Sequence, residues 1–141
     1  MAASETQNKE AIMAKGRLEH VNISVSDADR TARFLEGLTG WHRRWEGPAM
    51  NGGYTIHLGD DEAYLAIYSN PQVTGGFAKG APMNHIGIAV DDLDAAEALV
   101  VAEGFEPFNH GAYDPGPQSF YFFDRDGIEF EVVQYQQPPA N

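Results

Sequence analysis

Two histidines and one glutamate stand where they could act together. His20 opens the alternating run His20-Val21-Asn22-Ile23-Ser24-Val25, and His85 opens a second, His85-Ile86-Gly87-Ile88-Ala89-Val90. Their separation is 85 − 20 = 65, and the same shift carries Tyr64-Leu65-Ala66-Ile67-Tyr68 onto Glu129-Phe130-Glu131-Val132-Val133. A lone histidine among apolar neighbours is commonly a hydrogen-bonded structural residue. Two at equivalent places of a repeat converge on one axis if the copies are related by a pseudo-two-fold, and Glu131 adds a carboxylate there. Two imidazole nitrogens and one carboxylate oxygen suit a divalent cation. Burying that carboxylate bare would be costly, and a metal or a cationic partner offsets the cost.

The elements that must position these groups follow from the same repeat. In the first copy Val21, Ile23 and Val25 alternate with His20, Asn22 and Ser24, the period of a strand. A helix is predicted next in each copy. Ser26 with Asp29, and Asp91 with Asp94, are placed to cap its first turn. Phe34, Leu35 and Leu38, and then Leu93, Ala96 and Val100, supply apolar stripes. Gly40 and Gly104 sit where a left-handed residue ends a helix. Gly40-Trp41 matches Gly104-Phe105 at 104 − 40 = 64, so a compensating one-residue insertion lies inside the repeat. Three extended runs then follow in each copy, roughly residues 41–47, 54–58 and 63–69, and 105–110, 119–123 and 128–135. The turns between them are Asn51-Gly52-Gly53, Gly59-Asp60-Asp61, Asp114-Pro115-Gly116-Pro117 and Asp126-Gly127.

The expected class is therefore α+β, with two βαβββ modules at 17–70 and 83–135. An N-terminal extension covers 1–16, with a short helix near Glu10 to Lys15. A Gly/Pro-rich linker covers 71–82 and a tail 136–141. One face of each sheet has a helix to cover it, and the other must line something. On that second face we place His20, Asn22, Ser24, Tyr54, Ile56, Leu58, Tyr64, Ala66 and Tyr68, and from the second copy His85, Gly87, Ala89, Ser119, Tyr121, Phe123, Glu129, Glu131, Val133 and Tyr135. Aromatic walls with a few polar groups suit a small-molecule pocket. Asn22, Tyr54, Ile56, Tyr64, Tyr68, Ser119, Tyr121 and Phe123 are the expected substrate contacts. Tyr121 is the candidate for a substrate-orienting hydroxyl or general acid. Trp41 and Trp45 are expected between sheet and helix. His42, His57 and His110 lack repeat partners and read as structural or exposed.

Composition narrows the function. The chain of 141 residues is 43% hydrophobic and 21% charged, which is globular composition. It has no cysteine, so disulfides, thiolate metal sites and cysteine nucleophiles are excluded. Nine basic against twenty-one acidic residues leave a net charge of −12, which repels phosphate backbones and anionic lipid. No apolar run approaches the roughly 20 residues of a membrane helix, and the first residues lack the apolar stretch of a signal peptide. A soluble cytoplasmic protein with a small-molecule substrate, and neither a nucleic-acid nor a membrane partner, is expected.

The segments Leu18-Glu19-His20-Val21-Asn22-Ile23-Ser24-Val25, Asn84-His85-Ile86-Gly87-Ile88-Ala89-Val90-Asp91-Asp92 and Ser119-Phe120-Tyr121-Phe122-Phe123-Asp124-Arg125-Asp126-Gly127-Ile128-Glu129-Phe130-Glu131 resemble the vicinal oxygen chelate superfamily. That group includes glyoxalase I, fosfomycin and bleomycin resistance proteins and extradiol dioxygenases. The resemblance implies paired modules forming a curved, U-shaped mixed sheet, helices on its outer face, around a divalent metal (Zn, Ni, Mn or Fe(II)). By that pattern the ligands are His20, His85 and Glu131, with Glu131 also catalytic. The fourth family position falls on Ala66, which can neither ligate nor transfer a proton. It further implies a homodimer whose sites draw on one chain or on two. The chemistry implied is that of a lyase or isomerase, a thiol transferase or a ring-cleaving dioxygenase. The competing class is a metal-free protein that sequesters a cationic aromatic drug, with Trp41, Trp45, Tyr64 and Tyr68 as its walls.

Overall fold

The computed structural model describes residues 15–73, 76, 83–112 and 117–135. The expected N-terminal helix, most of the 71–82 linker, most of the Asp114 turn and the tail lie outside these residues. Each half runs strand, helix, strand, strand, strand. The first half contains β1 (His20–Ser24), α1 (Ala28–Thr39), β2 (His42–Ala49), β3 (Gly53–Gly59) and β4 (Tyr64–Ser69). The second contains β5 (Ile86–Ala89), α2 (Leu93–Glu103), β6 (Phe108–Ala112), β7 (Gln118–Phe123) and β8 (Glu129–Gln134). Each half forms its own four-stranded mixed sheet, ordered β1-β4-β3-β2 and β5-β8-β7-β6. β1 pairs with β4, and β5 with β8, in parallel, while the remaining pairs are antiparallel. The chain is an α+β protein, with β1, which begins at His20, and β5, which His85 immediately precedes, at sheet edges.

Both helices begin one residue later than the capping pattern predicts. The N-caps are Asp27, accepting from the Arg30 amide, and Asp92, accepting from the Ala95 amide. Strand pairing is the cause. The Val25 amide still donates to Tyr68 O at 2.8 Å and the Val90 amide to Val133 O at 2.9 Å, so the chain stays extended through both positions. Gly40 and Gly104 close the helices at φ 74° and 98°, a region that costs glycine little.

Ala28, Ala32, Leu35 and Leu38 bury one face of α1, and Leu93, Ala96 and Val100 one face of α2. These faces meet the inward sides of both sheets in one continuous core. Its centre is aromatic. Phe122 stacks on Phe130 at 5.2 Å and on Phe105 at 5.7 Å, and Phe34 of α1 meets Phe105 and Phe122 edge-on at 5.4 and 5.7 Å. Phe34 thus joins the halves through apolar contact. A polar link lies beside it, where the Ser26 amide donates to Oδ1 of the buried Asp126 at 2.8 Å.

Asp126 sits in the β7–β8 turn, which Asp124 organises by accepting from the Asp126 and Ile128 amides, both at 2.9 Å. Desolvation outweighs those bonds and, with help from nearby Asp126, pushes the Asp124 carboxyl up to about 6. Because its folded pKa lies above the ordinary 3.8, the group favours folding most below that value and loses this contribution as pH rises through about 6. Asp124→Asn keeps the acceptor and removes the buried anion. It is expected to add about 1–3 kcal/mol of stability at pH 8 and almost nothing at pH 4. Denaturant unfolding at the two pH values checks this.

Candidate functional site

His20 and His85 are held alike. The Nδ1 of His20 meets Glu19 Oε1 at 2.8 Å, and the Nδ1 of His85 meets Asn84 Oδ1 at 2.8 Å. In both cases Nδ1–H donates to the preceding side chain, which leaves the Nε2 lone pair facing outward, the tautomer a metal-ligating imidazole needs. His85 Nε2 then lies 3.2 Å from Glu131 Oε1. Two lone-pair acceptors at that distance repel unless a proton or a cation sits between them. The separation also suits two neighbouring ligands of one ion, each at roughly 2.1 Å and near a right angle. The donor set therefore fits a divalent metal through His85 and Glu131.

His20 is placed elsewhere. Its ring stacks on Tyr64 at 4.9 Å, and among the described residues no three histidine, aspartate or glutamate side chains come together around one point. His20 and His85 do line a common hollow of about 430 Å³ between the leading ends of β1 and β5, walled by Trp41, Tyr64, Met83 and Ile86. Within one chain, then, two of the three expected ligands converge and the third stands apart.

The second sheet presents the expected face. Gly87, Glu131 and Tyr121 lie side by side across β5, β8 and β7, as do Ala89, Val133 and Ser119. The Tyr121 ring meets His85 edge-on at 5.8 Å, Ser119 is buried, and Phe123 stacks on Phe108 at 5.4 Å. On the first sheet, β1 and β4 are also as expected, with Asn22 beside Ala66 and Ser24 beside Tyr68.

On β3 the expectation is reversed. Ile56 pairs with Ile67, Leu58 pairs with Leu65, and all four are core residues. Ile56 is fully buried under α1 and cannot touch a substrate. Tyr54 shares its side of β3, and its hydroxyl donates to Glu46 at 2.8 Å, within a cluster where Arg43 reaches Asp29, Glu36 and Glu46. The open face carries Thr55 and His57 in their place. The repeat frame explains the error. The 12-residue α1 against the 11-residue α2 shifts the offset from 65 to 64, and that shift persists through β3. Thr55 therefore corresponds to Ser119 and His57 to Tyr121. The frame returns to 65 only in the β7–β8 turn, which is one residue longer than the β3–β4 turn. Carrying the Gly40–Gly104 offset forward would have found both residues.

His57 accordingly lies on the open face and has a repeat partner. Its ring stacks on Tyr64 at 4.6 Å and tilts against Trp45 at 5.2 Å. Trp45 is 52% exposed and lies on the open side, not between sheet and helix as expected, whereas Trp41 packs against the core. Burial foremost, then the charges of His20 and Arg44, lower the His57 pKa against a smaller opposing pull from Glu19. Asn22, Thr55, His57, Tyr68 and Asn70 border an open hollow of about 390 Å³ on this face. His110 pairs with Glu97 at 2.9 Å on the surface, as a structural histidine should.

The fold defines a class, and the relatives of the chain agree with it. Residues 17–132 match the model of the Glyoxalase/Bleomycin resistance protein/Dioxygenase superfamily, and the chain belongs to that family. It is 27% identical over 138 residues to a probable lactoylglutathione lyase of Vibrio parahaemolyticus, covering 91% of this chain and 97% of that one. It is also 27% identical over 139 residues to a probable chloroplastic lactoylglutathione lyase of Arabidopsis thaliana, covering 89% of this chain but only 37% of that longer protein. Among solved structures, a glyoxylase/bleomycin resistance protein/dioxygenase domain from Frankia sp. EAN1pec superposes with TM-score 0.73 at 19% identity, covering 87% of this chain and 100% of that one. The fosfomycin resistance protein FosX of Listeria monocytogenes, complexed with Mn(II) and sulfate, superposes at 0.65 with 18% identity, covering 88% and 95%. No helix among the described residues is long and apolar enough to cross a membrane.

Proposed function

We propose that the protein is a divalent-metal-dependent isomerase or lyase for a small uncharged substrate with oxygens on adjacent carbons, and that two copies of the chain complete its site. The observation that carries this reading is the 3.2 Å approach of His85 Nε2 to Glu131 Oε1, with Nδ1 committed elsewhere in both histidines. His85 and Glu131 would hold the ion with His20 of a second copy. Zn, Ni, Mn and Fe(II) all suit such donors. When bound, the ion supplies Lewis-acid stabilisation of charge developing on the substrate oxygens.

The chain's own residues do the rest. Tyr121, beside Glu131, orients a substrate oxygen with its hydroxyl, Phe108 and Phe123 wall the site, and Ser119 and Asn22 offer further hydrogen bonds. Among the described residues neither hollow is lined by lysine or arginine, and Arg44, which stands 4.5 Å over the Tyr64 ring, is bonded to Asp60 O, which supports an uncharged substrate over a phosphonate. Elemental analysis of the purified protein, followed by an assay of glyceraldehyde isomerisation to dihydroxyacetone, tests this. The expected result is near-stoichiometric divalent metal and turnover abolished by chelator. Metal-free protein that binds a cationic aromatic drug with sub-micromolar affinity contradicts it. Cleavage of lactoylglutathione to glutathione and a three-carbon 2-oxoaldehyde, measured alongside, shows whether thiol conjugates are accepted.

A further inference from the structure

The two halves put different chemistry at equivalent places. In the second sheet the row across β5, β8 and β7 reads Gly87, Glu131, Tyr121, and in the first the matching row across β1, β4 and β3 reads Asn22, Ala66, His57. Where the second half has its carboxylate, the first has a methyl group, and the only side chain of its row with a proton-accepting nitrogen stands one strand over. His57 borders the hollow of the first sheet and makes no hydrogen bond with any described residue, although its ring is fixed by Tyr64 and Trp45. Two residues before it on the same face, Thr55 Oγ1 is buried with no hydrogen-bond partner. The uncommitted imidazole bordering that hollow is what a polar ligand would satisfy, whereas the Thr55 hydroxyl has no accessible surface.

Resting on the function proposed above, we infer that His57 is the site's proton-transfer residue. One imidazole nitrogen takes the proton from the substrate carbon next to the carbonyl. The C–H electron pair moves toward the carbonyl oxygen to give an enediolate, and the imidazolium returns the proton to the same carbon, or to the neighbouring carbon while the hydroxyl proton passes from one substrate oxygen to the other, so nothing is gained or lost overall. The groups facing His57 are consistent with a neutral acceptor at pH 7. The ring is part-buried, the cation of Arg44 and any charge on His20 oppose its protonation, and Glu19 alone favours it.

The test uses metal-loaded full-length protein and hydroxyacetone in D2O, with deuterium entry beside the carbonyl followed by NMR. Wild type is expected to exchange, and His57→Gln to exchange at least about 100-fold more slowly with unchanged metal content. Exchange by His57→Gln within about threefold of wild type, or no exchange by metal-loaded wild type, overturns the assignment. A second readout needs neither metal nor turnover: the imidazole 15N shifts of His57 in the metal-free wild type at pH 7 should be those of a neutral ring, and a charged ring overturns the inference even if the variant fails to fold. Wild type that exchanges hydroxyacetone through His57 but leaves glyceraldehyde untouched defeats the substrate proposed above and leaves His57 in its role. Protein that binds no divalent ion defeats both, and is recognised before any exchange is measured.

Discussion

Glu131→Gln is expected to weaken divalent-metal affinity by at least about 100-fold and to abolish turnover, with little change in unfolding stability. Losing an outer-shell partner of a metal ligand typically costs 10–100-fold in affinity, and removing a charged ligand outright should exceed that. Glutamine keeps the length and one oxygen but not the charge that balances the cation, so the loss isolates electrostatics from packing. The side chain is part-exposed, 24% accessible, and lies outside the core cluster, which is why the fold should tolerate the change. Metal titration followed by calorimetry or by competition with a chelating dye measures the effect. Wild-type affinity in Glu131→Gln would mean that the ion, if any, sits elsewhere.

The largest expected effect on stability comes from Phe122→Ala, a loss of about 3–5 kcal/mol. Phe122 is fully buried and touches aromatic rings from three other elements or connections: Phe130 on β8, Phe105 after α2 and Phe34 on α1. Its removal opens a cavity where the two halves meet, and stacked rings cannot collapse into that space without breaking sheet register. Because one core spans both halves, denaturant unfolding should remain a single transition shifted to lower midpoint. Two separate transitions in the variant would show that the halves have independent cores.

The expected elements were readable because their causes are local. Alternation at Val21, Ile23 and Val25 and the left-handed glycines at 40 and 104 depend only on nearby chain, and the repeat announced that the same unit occurs twice. The helices start one residue later than local sequence predicts because backbone pairing to distant strands, Val25 to Tyr68 and Val90 to Val133, each 43 residues away by 68 − 25 and 133 − 90, holds the chain extended. The face of β3 was inverted by a single-residue difference in helix length, since a slip of one flips every side chain of a strand to the other side. Ile56 and His57 exchanged roles on that account. For the proposed ligands, residue types and repeat positions point to the pairing of His85 with Glu131. What no strand pattern encodes is whether a neighbouring chain meets an edge strand, and His20 sits on one.

The central claim is that one ion is held by His85 and Glu131 of one copy and His20 of another. It is tested most directly by mixing two disabled proteins, His20→Ala and Glu131→Ala, and counting metal in the mixed dimer. Each variant alone should retain none. Mixing places both lesions in one site and leaves the other intact, so the account predicts one ion per mixed dimer and half the wild-type activity. A mixed dimer as empty as its parents would show that the three residues do not share an ion across chains, and would contradict the account.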